Sequence, residues 1–356
     1  MSLAPPPIHN QTIDIHEVLA GRRLPRWGVP SAAAAAVVVA VLLNALGIYG
    51  GVAQTTIATI LLFVVGQTIW SFVIEGRRHA MDRLATTTIY ATFLLALVPL
   101  LWILFTVVQR GISVLSADFF SSSMRNVSPR RPGGGIWHAL IGTIEQVLMA
   151  TLIAVPIGLL VAIYLVEFGR GRLATFVSFF VDVMTGVPSI VAGLFIYTGL
   201  ILALGMERSG FAASLALVLL MLPVVVRTAE EMLKLVPTDL REAAYALGVP
   251  KWITILRIVV PTALSGIITG VMLAVARVAG ETAPLLLTTF LTQGVNWDLF
   301  NGPQAALPTF IWDQISSGTT ASVDRAWGGA FVLILFVALL YIGARLLARV
   351  FAPKAR

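Results

Sequence analysis

The stretch Pro237-Thr238-Asp239-Leu240-Arg241-Glu242-Ala243-Ala244-Tyr245-Ala246-Leu247-Gly248-Val249-Pro250-Lys251-Trp252-Ile253-Thr254-Ile255-Leu256-Arg257-Ile258-Val259-Val260-Pro261 is a polar interruption between two long apolar runs. Thr238 and Asp239 are expected to cap a short helix, Gly248 to supply the left-handed residue that ends it, and Pro250 to take the first position of a second helix. The expected object is helix, turn, helix, held outside a lipid layer by the apolar segments before and after it.

Composition supplies that layer. Of 356 residues, 58% are hydrophobic and 12% charged, against roughly 25% charged in soluble domains. Apolar segments of about 20 residues span a bilayer as helices, and they occur near 31–51, 57–75, 87–109, 139–166, 174–204, 210–233, 262–290 and 327–350. Backbone polar groups must be satisfied within lipid, so the expected fold is all-α, a polytopic membrane protein with about eight transmembrane helices. The net charge of +7 does not form an aromatic-interleaved nucleic-acid patch. Instead Arg22, Arg23, Arg26, Arg77, Arg78, Arg83, Arg170, Arg172, Arg345, Arg349 and Lys354 fall on one side of the eight-span arrangement. The positive-inside rule makes that side, and both termini, cytoplasmic. Arg110, Arg125, Arg130 and Arg131 in the loop 110–138 run against it. The absence of cysteine excludes disulfides and thiolate chemistry, and the first apolar run starts too late for a removed signal peptide.

Along the chain, 1–30 reads as a cytoplasmic tail, 31–86 as an accessory transmembrane hairpin with its linker, 87–350 as the main transmembrane domain containing the polar segment 237–260, and 351–356 as a second tail. Gly133-Gly134-Gly135 precedes a helix start and is expected to act as a flexible hinge, the alternative being an anion-binding turn. Trp297, Trp312 and Trp327 suit an interfacial belt or a docking surface.

Ionisable side chains inside apolar helices each call for a partner or a role. Arg277 and Glu281 are four residues apart and are expected to share one helix face, either as a neutralised pair or as a guanidinium that an oxyanion takes over from its carboxylate. Arg227 follows Pro223 near a helix end, where Glu231 would neutralise a snorkelling arginine and Pro223 would open the helix wall. Asp182 precedes the broken stretch Gly186-Val187-Pro188-Ser189, which reads as a substrate path or a packing kink. Glu145 is expected to bond between helices. The four histidines show no metal spacing, no P-loop is present, and no nucleophile stands beside a base, so neither a metal nor a catalytic residue is assigned. A membrane-embedded enzyme or scaffold remains the alternative class.

Glu242-Ala243-Ala244, Gly248, Ile258 and Pro261 resemble the EAA signature of ABC-importer permeases. Together with Gly186-Val187-Pro188-Ser189, Leu222-Pro223, Arg227-Thr228, and Arg277 followed by Gly280-Glu281-Thr282-Ala283-Pro284, they resemble the PstA-type permeases of phosphate ABC importers. The resemblance covers roughly 87–350. It implies a type I importer permease fold with a six-helix core, to which 31–75 adds a hairpin, in a bacterial inner membrane. Implied partners are a PstC-type second permease, two copies of a PstB-type cytoplasmic ATPase, a PstS-type phosphate-binding protein, phosphate and lipid, with ATP and Mg bound by the ATPase and no cofactor in this chain. Arg227, Arg277, Glu281, Asp182 and Thr282 would line the phosphate path, and Glu242, Ala243, Ala244, Gly248, Pro250 and Pro261 would couple it to the ATPase. Sulfate, molybdate or phosphonate would suit such residues equally.

Overall fold

Residues 24–25, 27–48 and 51–351 are described by the structure, a computed structural model, so most of both expected tails lies outside the described residues. Among the described residues every regular element is helical. Seven helices are long and apolar enough to cross a membrane, or up to eight if one sharply bent pair is a single span.

The chain divides into two compact units, residues 1–104 and 105–356, each taken here by itself. In the first, α1 (Gly28–Ala45) packs on α2 (Val52–Glu75), and Ala36, Ala40 and Ala58 are buried. Small side chains let these backbones approach where lipid gives no hydrophobic drive. The expected linker 76–86 is not a loop. A single residue, Gly76 at φ +85°, separates α2 from α3 (Arg77–Ile112), because polar Arg77–Thr88 continue the helix of the apolar run behind them.

The second unit takes up the end of α3 and then α4 (Ala117–Ser121), α5 (Trp137–Phe168), α6 (Arg172–Thr185), α7 (Ser189–Ala203) and α8 (Gly210–Lys234). It continues with α9 (Thr238–Ala246), α10 (Lys251–Ala279), α11 (Ala283–Thr288), α12 (Leu307–Ser317) and α13 (Thr320–Phe351). Helix α8 is central: α5, α6, α7, α10 and α11 all pack against it, and two-thirds of its apolar window is buried. Its core with α5 and α10 is built from Ala150, Ala154, Leu217, Met221, Ala274 and Val278. At Gly158 a Cβ would lie 2.7 Å from Val225 Cγ1, so α5 and α8 meet at backbone distance.

One expectation is sharpened and two are corrected. The break expected within the apolar run 174–204 lies at Gly186–Pro188, where α6 and α7 meet with a bend of 109°. Pro188 lacks the N–H that would extend α6, and it disfavours the helical conformation at Val187. The run 262–290 is likewise split, since α10 already begins at Lys251 and ends at Ala279. Pro223 opens no gap; it is buried within an unbroken α8.

The glycine loop is no loose hinge. Arg325, 3% exposed, donates to the carbonyls of Pro129, Arg131 and Gly133 and to Gln314 Oε1. Gly135 sits where a Cβ would lie 2.1 Å from the Phe119 carbonyl. Of the three tryptophans, Trp297 and Trp312 are exposed, whereas Trp327 carries the Arg110 guanidinium 5.3 Å over its ring.

Candidate functional site

The polar segment folds as helix, turn, helix, with two shifts from expectation. Pro237, not Thr238, is the residue flanking α9, with Asp239 in its first turn, and Pro250 flanks α10 rather than starting it. Gly248 has φ +77°, the left-handed conformation that glycine adopts without a Cβ penalty. Pro261 is tolerated because the turn before it, Ile255–Val259, is a π-helix. The wider turn re-routes hydrogen bonds around a residue that cannot donate one.

What fixes α9 is an arginine that the sequence pattern did not single out. Arg241 Nε donates to Glu167 Oε1 at 3.0 Å, while its Nη1 and Nη2 donate to the carbonyls of Val236 at 2.6 Å and Leu233 at 2.9 Å. It thereby closes the end of α8 and clamps α9 to the last, π-helical turn of α5. Arg241 and Glu167 side chains are only 14% and 6% exposed. Lys251 adds a bond to the Glu167 carbonyl and lies 4.4 Å over the Phe168 ring. Ala244 turns inward, 4% exposed. Glu242, Ala243, Tyr245, Leu247 and Gly248 face outward, Leu247 at 84% exposure, and make an amphiphilic knob suited to a partner's groove.

About two turns above that end of α8, Arg227 is saturated. Its Nε donates to Asp182 Oδ1 at 3.0 Å, Nη1 to Glu230 Oε2 at 2.6 Å, and Nη2 to the Ser178 carbonyl and hydroxyl, each at 3.0 Å. Lys234 completes the group on Glu230 Oε1 at 2.6 Å. Two cations and two carboxylates cancel. Glu231, the expected partner, is exposed and takes no part; Glu230, one residue earlier, lies on the face toward Arg227. Asp182 is thus joined to Arg227, binding α6 to α8, and an anion reaching Arg227 must displace a carboxylate.

Arg277 and Glu281 are not brought together. Helix α10 stops at Ala279, so Glu281 lies beyond it, and no ion pair joins the two among the described residues. Thr282 flanks α11 without capping it. Arg277 is exposed on the stripe of Thr269, Leu273 and Gly280, and makes no hydrogen bond or ion pair among the described residues. Its neighbours Ala274, Val275 and Val278 share one core with Ala150, Leu217 and Met221, halfway along α5 and α8. Gly270 abuts Thr228, and Arg277 lies seven residues further along α10, so the two guanidiniums are staggered by about 10 Å along the bundle axis. Pro284 of α11 meets Gly193 of α7, where a Cβ would be 2.6 Å from the Pro284 Cα. The unwound end of α10 therefore faces the bent pair α6–α7.

Two further buried polar residues carry no sequence signature. Gln304, fully buried, accepts from Gln146 Nε2 at 3.0 Å and donates to Glu145, with Thr289 bonded to its backbone, so the loop before α12 is pinned to α5 and α11. Glu145 does bond between segments as expected, to a loop rather than to a helix. Among the described residues no group of histidines and acids could hold a metal ion.

Comparison with known proteins agrees with this architecture. Residues 154–356 match the family model "Binding-protein-dependent transport system inner membrane component". The phosphate transport system permease protein PstA 1 of Mycobacterium tuberculosis (strain H37Rv) is 47% identical over 281 residues, covering 79% of this chain and 91% of its own. PstA of Yersinia pestis is 44% identical, covering 79% and 93%. Among solved structures, a chain of the inward-facing MetNI methionine ABC transporter superposes with a TM-score of 0.51 at 19% identity, over 67% of this chain and all of its own. A chain of a bacterial alginate ABC transporter gives 0.56 at 13% identity, over 78% and 97%. Those two establish the type I importer permease fold and nothing of cargo. On the sequence relatives, with the bent pair, the outward knob of α9 and the mid-bundle arginine in place, this multi-pass membrane chain belongs to the PstA family of binding-protein-dependent transport permeases.

Proposed function

We propose that this chain is the permease subunit through which a bacterial ATP-driven importer passes inorganic phosphate. The observation that carries the reading is Arg277: an exposed guanidinium, unpaired among the described residues, halfway through an apolar bundle. A cation there is costly against lipid, by about 2.5–3.5 kcal/mol on insertion scales, and is placed where it faces water or protein. It fits a water-filled path at a seam with a second permease, where its planar fork matches a tetrahedral oxyanion bidentately. Arg227, about 10 Å nearer the α9 end, is counter-charged. An anion leaving Arg277 meets a weaker second station, as conduction requires sites that bind and let go.

The α9 knob is the surface for the cytoplasmic ATPase, of which two copies would serve this chain and a second permease. An extracytoplasmic binding protein would deliver phosphate. That puts both termini in the cytoplasm. Rotation of the ATPase pulls α9, and through Arg241–Glu167 it pulls α5 and α8 together. In cells lacking other phosphate importers, Arg277→Gln should abolish labelled phosphate uptake while the complex still copurifies; uptake at the parental rate defeats the assignment. Unlabelled sulfate in excess should leave uptake unchanged.

A further inference from the structure

We propose that Arg208 is an oxyanion-binding residue at the outer mouth of the path, taking a tetrahedral anion such as inorganic phosphate before it reaches Arg277. The proposal rests on the reading of this chain as a phosphate permease and adds an entry station to it.

Arg208 lies just before α8, at the end opposite α9, and its guanidinium bridges two other segments. Its Cζ stands 5.2 Å over the Tyr197 ring of α7 and 5.1 Å over the ring of Phe290, which follows α11. The backbone fixes that arrangement. The Ser209 N–H donates to the Thr288 carbonyl at 3.3 Å, and the Thr289 hydroxyl donates to the Gln304 carbonyl at 2.8 Å, so the start of α8 and the end of α11 are tied side by side. Phe290 itself has φ +62°. The one other non-glycine residue with positive φ among the described residues is Asn126, a residue type that tolerates it. In a phenylalanine that conformation is strained and persists only where the surroundings impose it. Here they impose an aromatic ring over one cation.

The donors of that cation are left open. Arg83, Arg227, Arg241 and Arg325 give their N–H groups to carboxylates, carbonyls or an amide oxygen. Arg208 has a single hydrogen bond, from Nη2 to the Tyr197 hydroxyl at 3.4 Å, so Nε and Nη1 have no acceptor among the described residues. The side chain is half-buried and none of its nitrogens is among the buried unsatisfied atoms, so these donors reach the surface. No carboxylate pairs with it among the described residues, its exposed neighbour Glu207 included. Ring faces attract a guanidinium without cancelling its charge. Nη2 carries two hydrogens; whichever one goes to Tyr197, the other completes a two-donor edge with Nε or with Nη1. Such an edge fits two oxygens of a tetrahedral oxyanion.

Its position continues the path already described. Gly193 of α7 meets Pro284 of α11 beside the unwound end of α10, and Tyr197 is one turn beyond Gly193 on the same seam. Ile196 shares a core with Ala212 and Ala216, whereas the Gly270–Thr228 contact puts Arg277 near the level of Met221. Nine residues of α8 separate those levels, about 14 Å. Arg208, Arg277 and Arg227 therefore succeed one another from the outer end inward, the first two without a carboxylate and the last counter-charged.

A phospholipid headgroup offers the same phosphate oxygens, so the test separates the two sources. The parent complex in lipid-free maltoside micelles is treated with phenylglyoxal, which modifies arginine, with and without millimolar inorganic phosphate at constant ionic strength. Peptide mass spectrometry follows each site. Phosphate should slow modification of Arg208 several-fold and leave Arg130, exposed in the loop 110–138, unaffected. Equal rates at Arg208 overturn the proposal. So does protection that requires phospholipid vesicles and ignores added phosphate, which assigns Arg208 to a lipid headgroup. In cells lacking other phosphate importers, Arg208→Lys keeps a cation over the rings but loses the two-donor edge. It should lower maximal phosphate uptake roughly tenfold, the worth of one charge-assisted hydrogen bond, while the complex copurifies with its parental melting temperature. Parental uptake by Arg208→Lys also overturns the proposal, since lysine preserves a purely structural contact with the rings. If the parent chain carries no phosphate, the permease reading fails and this station with it; parental uptake with an unprotected Arg208 strikes the station alone.

Discussion

Replacing Arg241 by methionine keeps the length and apolar stem of the side chain but removes three donated hydrogen bonds, one to Glu167 and two to the carbonyls that end α8. Glu167 is 6% exposed and Arg241 14%, so solvent does not screen the pair well. Breaking a buried pair by removing one partner costs about 3–5 kcal/mol, since the surviving carboxylate stays desolvated. The carbonyl of Leu233, on a fully buried residue, loses the shorter of its two bonds and keeps only the Val236 N–H at 3.4 Å. The loss falls on the attachment of α9 rather than on the bundle, whose α5–α8 core is untouched. An opening equilibrium weakened by about 4 kcal/mol changes roughly a thousandfold. Hydrogen exchange of the amides of 238–246 in the purified complex should accelerate by about that factor, while amides of 213–226 keep parental protection. Transport should fail with residual ATP hydrolysis no longer stimulated by loaded binding protein. The double variant Arg241→Met with Glu167→Leu removes the stranded charge and should recover most of the protection, as apolar replacements of buried pairs commonly do. Parental exchange and stimulated hydrolysis in the single variant would refute the clamp.

Three further outcomes are expected. Asp182→Asn removes half of the counter-charge on Arg227; because Asp182 is 64% exposed, stability should change by less than about 1 kcal/mol, whereas phosphate should be held longer, lowering both KM and maximal uptake. Unchanged kinetics would exclude Arg227 from the path. Gly142→Ala places a Cβ 2.0 Å from the Ala305 carbonyl, so it should destabilise the loop pinned by Gln304 by about 1–3 kcal/mol, seen as a lower melting temperature of the complex; an unshifted melt would show that the contact is loose. Asp298 accepts from Asn301 Nδ2 and from the backbone N–H groups of Phe300 and Asn301, which holds its carboxyl below the usual range. A lowered value means that its contribution is present above the ordinary carboxylate pKa, about 3.9, and is lost as pH falls through the lowered one. Amides of 298–301 should exchange faster relative to intrinsic rates at pH 3 than at pH 6, and Asp298→Ala should abolish the difference.

The sequence by itself determined the all-helical class, the approximate spans and the position of the α9 turn. Apolar run length, helix-ending glycine and charge distribution are local properties, and Gly248 at φ +77° is their direct consequence. It also marked Arg227, Arg277 and Asp182 as residues that apolar helices do not hold without reason. Pairing was another matter. Spacing put Arg277 with Glu281 and Arg227 with Glu231; the structure ends α10 between the first two and gives Arg227 to Glu230 and to Asp182, 45 residues away. Arg241, Arg325 and Gln304 looked like ordinary polar residues, because each has partners far away along the sequence: Glu167 for Arg241, the carbonyls of Pro129, Arg131 and Gly133 for Arg325, and Glu145 for Gln304. The bend at Gly186–Pro188 was legible as a break, but not its 109° angle. Which charge stays free depends on which carboxylates the packed helices carry to it, and only the tertiary structure decides that.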